Sequence, residues 1–330
     1  MPIFGKPVTD RVSQLKPSFV DRIRAGSVAP VISHEALIDL VFGGCEGLVD
    51  RYAQFIEYPL PGPRHLREMT KFRSITKEMT DWDLKHEYLD LVKSHIYFLA
   101  QEAGAEEDTL AEAEEQVDVL TATAFAALLG YPKFSAPRED PLLILANLPL
   151  PVYITTSPFG LIEAALVKAG KQPRSEICRW RSSLDGESSV FADRNYAPNE
   201  KEPLVYHLFG LDSRADSLVL TEDDLLQFLV AAAQGQGKDA DRIPSRVRQA
   251  VLDSALVLLG FNITEGIFRT LFWGLLKQTN SDDKGIFTVQ ARPEPVVEEY
   301  IKGYLKETRF DVFWGDLRAY ALELQQMWKG

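Results

Sequence analysis

The residues best suited to chemistry stand near the ends of apolar runs. His207 lies in the run of residues 204–209, and the near-neutral pKa of an imidazole suits a general base. A hydrogen-bonded core histidine is the alternative interpretation of the same residue. Thr155, Thr156 and Ser157 follow a second run and supply hydroxyl groups that both donate and accept hydrogen bonds.

These residues can meet only if the runs are strands of one sheet. Strand-length apolar runs, rich in β-branched and aromatic residues, recur along the chain. They cover residues 27–32, 152–156, 204–209, 254–260, 286–289 and 310–313, and two shorter candidates cover 177–180 and 217–220. Helical patterns alternate with about five or six strands, which predicts an α/β fold with a doubly wound, mostly parallel, Rossmann-like sheet.

An open sheet of this kind binds ligands at the carboxyl ends of its strands. The rule places Thr155, Thr156 and Ser157 in the predicted cleft. Ser33 and His34 form a second part of it, because the first strand passes there directly into a helix whose N-terminal amides can meet a phosphate. No glycine-rich loop stands at this junction, and Glu35 adds a negative charge.

The segment of residues 48–131 carries helical patterns of apolar residues throughout. We interpret it as a helical insertion or subdomain within a single α/β domain that covers residues 1–330. It is a candidate lid or oligomer contact. A later helix, after Gly160, is expected to pack through Leu161, Ala164, Ala165 and Val167.

Thr221 is expected to begin another helix. An acidic residue, Asp224, follows it three positions later, which is the pattern of a capping box. The run of residues 204–209, the polar turn after Gly210 and this helix start form one strand–turn–helix unit.

Composition limits the possible partners. The chain of 330 residues has a formal net charge of −12, which disfavours nucleic acid as a partner because nucleic-acid-binding proteins carry basic surfaces. Its two cysteines, Cys45 and Cys178, lack the spacing of metal ligands, so no metal is expected. Neither a membrane-spanning run nor a secretory leader is evident, so we expect a cytoplasmic protein without a membrane partner.

Three stretches, in order, resemble the sirtuin-like domain of bacterial defence and signalling proteins. They are Val152-Tyr153-Ile154-Thr155-Thr156-Ser157, the unit from residue 204 to the helix start at Thr221, and Ala255-Leu256-Val257-Leu258-Leu259-Gly260-Phe261. The resemblance implies a Rossmann-like fold and NAD as ligand or substrate. The cofactor contacts that it implies are Ser33, His34, Thr155, Thr156, Ser157, Phe209, Gly260, Asn262 and Glu265.

Three features of the family are changed in this chain. The glycine loop is replaced around Ser33, the asparagine that orders the ribose corresponds to Ser157, and the catalytic histidine corresponds to Phe209. Phenylalanine has no proton to transfer. His207 lies two residues earlier, so strand geometry predicts it on the same face as Phe209 and makes it a candidate replacement base.

Two functions follow from this pattern. The first is a degenerate sirtuin-like module that binds NAD or a related nucleotide, or a protein partner or second copy, in a bacterial defence or signalling system. The alternative is an active NAD hydrolase that releases nicotinamide and ADP-ribose with His207 as a shifted general base. The changes at Ser157 and Phe209 favour the first, because loss of a general base alone lowers a rate by about 10²- to 10⁴-fold.

Overall fold

The computed structural model describes residues 15–61, 64–234, 242–261, 287–291, 299 and 310–329. Seven strands in these ranges form one sheet. They are β1 (Val28–Ile32), β2 (Val152–Thr155), β3 (Arg174–Ile177), β4 (Leu204–His207), β5 (Ala255–Leu259), β6 (Phe287–Ala291) and β7 (Phe310–Trp314).

The sheet is doubly wound and its paired strands are all parallel, which confirms the predicted fold class. The strand order is β3-β4-β2-β1-β5-β6-β7. The chain passes from β1 to β2 on one side and from β5 to β6 on the other, so the direction of winding reverses between β1 and β5. A reversal of this kind opens a crevice at the carboxyl ends of the strands, where such sheets bind ligands.

The central strands form because their side chains are apolar on both faces. All five residues of β1 and all five of β5 are buried. Successive residues point to opposite faces, so Val28 and Ile32 join one core cluster while Ala29 and Val31 join the other. Helices cover both faces, as a parallel sheet requires.

The helices of the described residues are numbered in chain order. They are α1 (Pro17–Arg24), α2 (His34–Phe42), α3 (Cys45–Phe55), α4 (Leu66–Thr76), α5 (Asp81–Glu102), α6 (Glu107–Gln116), α7 (Ala122–Leu128), α8 (Pro141–Ala146), α9 (Leu161–Lys168), α10 (Glu222–Gln234), α11 (Ser245–Asp253) and α12 (Leu317–Lys329). Within the described part of residues 48–131 the regular structure is helical; its role as an insertion in one domain stays a prediction. Over the ranges that the structure covers, no helix has the length and apolar character needed to cross a bilayer.

Three sequence-based expectations about strands were wrong. The sheet has seven strands rather than five or six, and its edge strand is Arg174–Ile177 rather than residues 177–180. Residues 217–220 form no strand: a single 3₁₀ turn ends at Ser217, whose Oγ donates to the Arg214 carbonyl at 2.6 Å. This hydroxyl closes the turn locally in place of ladder pairing.

The expected packing face of α9 was wrong in part. Leu161 and Ala165 are buried as predicted, but Ile162 and Leu166 complete the buried face and Val167 is 61% exposed. The helix faces the core with neighbouring pairs of residues one turn apart, and a sequence with so few polar residues does not show which of its apolar side chains face the core.

The capping box at the start of α10 is present. Thr221 Oγ1 accepts a hydrogen bond from the Asp224 N–H at 3.1 Å, and Asp224 Oδ2 accepts one from the Thr221 N–H at 3.0 Å. The reciprocal bonds satisfy two backbone donors that a helix N-terminus otherwise leaves open.

Replacing Thr221 with alanine is expected to lower the free energy of unfolding by about 1 kcal/mol, because the Asp224 amide loses its acceptor. The change should appear as a lower urea midpoint with an unchanged slope. Thr76→Ala is the control, because the exposed Thr76 hydroxyl bonds only to carbonyls of its own helix. Equal losses in the two variants would contradict the capping role.

Candidate functional site

The carboxyl ends of β1, β2 and β4 lie side by side. The Thr156 N–H donates to the Ile32 carbonyl at 3.2 Å, which continues the pairing of β1 with β2 beyond Thr155. The Leu208 N–H donates to the Thr155 carbonyl at 2.8 Å and does the same for β2 and β4. The segments that follow the three strands therefore form one edge, as the sequence predicted.

Two hydroxyl groups of the site close the N-terminus of α2. Ser33 Oγ accepts from the Ala36 N–H at 3.1 Å and donates to the Gly260 carbonyl at 2.8 Å. Thr156 Oγ1 accepts from the His34 N–H at 2.9 Å. Both side chains are thus committed to the protein's own backbone.

The remaining hydroxyls of the site are also held by neighbours. Thr155 Oγ1 donates to the Ile32 carbonyl at 3.0 Å and accepts from the Ser157 N–H at 2.9 Å. Ser157 Oγ accepts from the Phe159 N–H at 3.3 Å and lies 3.3 Å from Nδ1 of His34. Thr155 and Ser157 are fully buried, so they form the back of the cleft rather than its surface.

His34 is the half-buried member of this group. Its ring lies 5.7 Å from that of Phe159, centroid to centroid. Burial lowers the pKa of His34 below its usual 6.5; the Glu35 carboxylate opposes this shift and the Arg67 guanidinium adds to it. The imidazole is therefore neutral at pH 7.

His207 is fully buried, and both of its ring nitrogens are occupied. Nδ1 lies 2.8 Å from the Ser157 carbonyl oxygen, which can only accept, so Nδ1 carries a hydrogen. Nε2 lies 2.7 Å from Oε1 of Glu163 on α9. The same carboxylate oxygen accepts a hydrogen bond from Ser175 Oγ at 2.6 Å.

Each member of this pair favours the charged form of the other. Burial on its own disfavours both charges, but the attraction between them outweighs it, so the pKa of His207 is raised and that of Glu163 is lowered. Both shifts favour an imidazolium bound to a carboxylate. An imidazolium cannot accept a proton, so the predicted base role requires His207 to leave Glu163 first.

Phe209 lies on the other side of the sheet from His207, and the expectation of a shared face was wrong. β4 ends at His207, so the strand alternation does not extend to Phe209. Phe209 packs edge-on against Phe228 of α10, with ring centroids 5.3 Å apart, in the second core cluster. The guanidinium carbon of Arg67 lies 5.2 Å from the centroid of the Phe209 ring.

Gly260 follows β5 and adopts a left-handed backbone with φ +76°. A Cβ atom there would lie 2.2 Å from the Ala36 Cβ and 2.9 Å from Ser33 Oγ. The close approach that this glycine permits is to the first turn of α2. Asn262 and Glu265, the other predicted contacts on this side, lie outside the described residues.

Comparison with known protein families matches residues 151–313 to the SIR2-like domain. The chain contains a sirtuin-like domain. The match begins at the start of β2 and ends in β7, so β1 and the helices before β2 lie outside it. No curated protein sequence matches the chain.

SIR2-like domains generally bind NAD, and the residues at the carboxyl edge of the sheet fit that ligand in part. Half-buried His34 and the backbone around Ser157 offer polar contacts for a ribose. The amide groups that would meet a pyrophosphate at the start of α2 are taken by Ser33 and Thr156. Across the described ranges, no group of three or more His, Cys, Asp or Glu side chains is arranged to hold a metal ion.

Sequence reasoning missed three ionisable residues of the candidate site. Glu163 binds His207, Asp212 stands near the same ring with its pKa raised by burial, and Arg67 reaches the Phe209 ring. Glu163 carried a usable signal, because it is an acidic residue in the first turn of a mostly apolar helix beside the sheet. Arg67 lies in a segment without a motif, so nothing in the sequence pointed to it.

Proposed function

We propose that this sirtuin-like domain binds NAD or a related nucleotide at the carboxyl edge of its sheet without hydrolysing it, as a sensor or scaffold in a bacterial defence or signalling system. The observation that carries the proposal is the state of the two positions where a base would be needed. The resemblance places Phe209 where the family has its histidine, and His207 is buried with its Nε2 2.7 Å from the Glu163 carboxylate, a contact that favours the imidazolium.

Partial retention of the cleft supports ligand binding. The strand ends, the reversal of winding between β1 and β5, and the polar residues at the edge are those of a ligand-binding α/β sheet. A fold of this kind can persist after the catalytic activity of the family is lost, because catalysis depends on a few side chains whereas the fold depends on many.

The alternative, an NAD hydrolase with His207 as its base, is disfavoured by the same geometry. The base would have to break its bond to Glu163, lose a proton and turn toward the ligand. Each step opposes the buried ion pair, and removing a partner from such a pair costs about 3–5 kcal/mol.

Purified protein incubated with NAD is expected to release no more nicotinamide than a protein-free sample, because neither Phe209 nor the paired His207 can accept a proton. Chromatography of the products measures release, and calorimetric titration with NAD and ADP-ribose measures binding. His207→Gln serves as the variant, with its circular dichroism compared to that of the parent. Nicotinamide release that disappears in folded His207→Gln would establish the hydrolase instead.

A further inference from the structure

The buried hydroxyl of Ser157 lies between a group that can only donate a hydrogen bond and a group that can accept one. Its Oγ accepts from the Phe159 N–H at 3.3 Å, and Ser157 is fully buried. Its other contact within the described ranges is Nδ1 of His34, also at 3.3 Å. A hydroxyl has one hydrogen to donate, and the Phe159 amide nitrogen cannot accept it. The Ser157 hydrogen is therefore donated to Nδ1, which carries no hydrogen of its own.

The opposite arrangement would leave a buried hydrogen without an acceptor. If Nδ1 carried the ring hydrogen, the His34 ring and the Phe159 amide would both donate to Ser157 Oγ. The hydroxyl hydrogen of Ser157 would then have no acceptor, which disfavours this arrangement by about 5- to 100-fold. The bond made by one ring nitrogen of a histidine fixes the state of the other, so neutral His34 carries its hydrogen on Nε2.

Nε2 is the ring nitrogen of His34 that a ligand can reach. Within the described ranges the structure gives it no hydrogen-bond partner, and it is not one of the enclosed polar atoms that lack a partner there. His34 is the first residue of α2 and directly follows the end of β1, at the carboxyl edge of the sheet. Its ring lies 5.7 Å from that of Phe159, centroid to centroid. The N–H group therefore lies at the predicted cleft on a ring that packs against its wall.

His34 offers this hydrogen without a positive charge. Burial lowers the pKa of the ring and the Arg67 guanidinium lowers it further, whereas the Glu35 and Asp39 carboxylates of α2 oppose the shift only in part. A neutral N–H group is a donor, so its natural partner is an acceptor oxygen. An amine or ammonium group, which donates, would find no partner there.

The ring hydrogen also compensates for backbone donors that are already used in the first turn of α2. The His34 amide donates to Thr156 Oγ1 at 2.9 Å, and the Ala36 amide donates to Ser33 Oγ at 3.1 Å. In nucleotide-binding α/β folds the amides of this turn meet the ligand. The side chain of His34 supplies a donor at the same end of the helix.

We propose that Ser157 holds His34 in the tautomer with its hydrogen on Nε2, and that this N–H group binds an acceptor oxygen of the nucleotide. The inference rests on the proposed function and deepens it, because it specifies ligands that present a ribose or phosphate oxygen at the end of β1. His34 is the residue that touches the ligand. Ser157, which is buried behind it, is a positioning residue.

Nitrogen-15 NMR of the full-length protein, labelled at histidine, measures the tautomer without any ligand. The spectrum is recorded at about pH 8, above the usual pKa of histidine, and His34→Gln identifies the signals of His34. A ring nitrogen with a hydrogen and one without differ widely in chemical shift. His86 is an internal reference for the opposite tautomer, because its Nδ1 lies 2.7 Å from the Trp82 carbonyl oxygen, which can only accept. The hydrogen of His34 is expected on Nε2.

Two variants of Ser157 test its positioning role. Ser157→Ala should move both ring signals of His34 toward those of a mixture of tautomers, because Nδ1 loses its donor. Ser157→Thr keeps a hydroxyl and should keep the parent pattern. A residue that served only to fill space would leave the His34 tautomer unchanged in both variants, and that result would overturn the role of Ser157.

Binding is compared between the parent, His34→Phe, His34→Gln and the control His86→Phe. Phenylalanine keeps a planar ring against Phe159 but has no donor, and glutamine restores an N–H group. Calorimetric titration uses three probes, which are ADP-ribose, nicotinamide riboside, which has no phosphate, and inorganic pyrophosphate, which has no ribose. Circular dichroism confirms that each variant is folded.

His34→Phe is expected to bind ADP-ribose more weakly than the parent. The loss should be about 3- to 10-fold if the acceptor is an uncharged ribose oxygen and about 10- to 100-fold if it is a phosphate oxygen. A loss shared with nicotinamide riboside assigns the acceptor to the ribose, and a loss shared with pyrophosphate assigns it to the phosphate. His34→Gln should recover part of the affinity, and His86→Phe should bind like the parent.

The remaining outcomes separate this inference from the proposed function. A His34 hydrogen found on Nδ1 in the parent would overturn the inference whatever the ligand. Equal binding of ADP-ribose by the parent and His34→Phe would overturn the ligand contact and leave nucleotide binding in place. Failure of the parent to bind NAD or ADP-ribose would overturn the proposed function and, with it, the ligand contact of His34.

Discussion

Replacing Glu163 with leucine is expected to lower the free energy of unfolding by about 3–5 kcal/mol near pH 6, because buried His207 would lose its charged partner. The Nε2–Oε1 distance is 2.7 Å and His207 is completely buried, so the variant would leave the imidazolium away from water without its partner. Ser175 would also lose the carboxylate that accepts its hydroxyl. Urea denaturation followed by circular dichroism measures the change.

Two further variants test the physical reason for this loss. Glu163→Gln keeps an acceptor of the same shape, so it should cost only about 1–2 kcal/mol. The double variant with Glu163→Leu and His207→Leu should be closer to the parent than the sum of the single changes, because two apolar side chains can replace a buried ion pair at little cost. Additive losses would show that the two residues act independently.

The contribution of the same pair to the free energy of unfolding is also expected to depend on pH. The pKa of His207 is raised above 6.5, so its contribution is complete below pH 6.5 and is lost as the pH rises through the raised value. The pKa of Glu163 is lowered below 4.5, so its contribution is complete above pH 4.5 and is lost as the pH falls through the lowered value. The stability gap between the parent and Glu163→Leu should therefore be widest between these limits and narrow on either side. A gap that does not vary with pH would contradict an ionised pair.

The sheet could be predicted from the sequence because its signal is local and repeated. Residues 255–259, for example, are apolar throughout, which is typical of a strand buried on both faces between polar loops. The start of α10 could be predicted for the same reason, since its capping residues Thr221 and Asp224 lie within one turn of each other. These features depend on the backbone and on neighbours in the chain.

The sequence predicted where the candidate site lies in the sheet, but not which groups its side chains bind. The rule for open sheets put Thr155, Thr156 and Ser157 at the correct edge. It could not show that Thr156 Oγ1 is used to cap α2, or that His207 is bound to Glu163, 44 residues earlier. Such pairings depend on how elements pack across the sheet. The apolar run of residues 204–209 likewise hides the turn after His207 that separates it from Phe209.

Replacing Gly210 with alanine is expected to lower the free energy of unfolding by about 2–5 kcal/mol. Its backbone is left-handed, with φ +87°, which costs an L-residue roughly 1–2 kcal/mol. The new Cβ would also lie 2.2 Å from the Ser217 carbonyl oxygen, and relieving such overpacking costs a further 1–3 kcal/mol or so. That carbonyl cannot move freely, because it accepts the indole hydrogen of Trp180 at 2.8 Å.

Gly170 offers a matched control for this prediction. Its φ is +83°, close to that of Gly210, but no atom lies within 4 Å of the position of its missing Cβ. Gly170→Ala should therefore show the backbone cost alone, about 1–2 kcal/mol, and the difference between the two urea midpoints measures the collision with Ser217. Equal losses of unfolding free energy in the two variants would mean that the turn after β4 shifts to make room for a Cβ atom. A larger loss at Gly210 would show that the glycine after β4 is required by the return of the loop onto the strand end, whether or not a ligand ever approaches it.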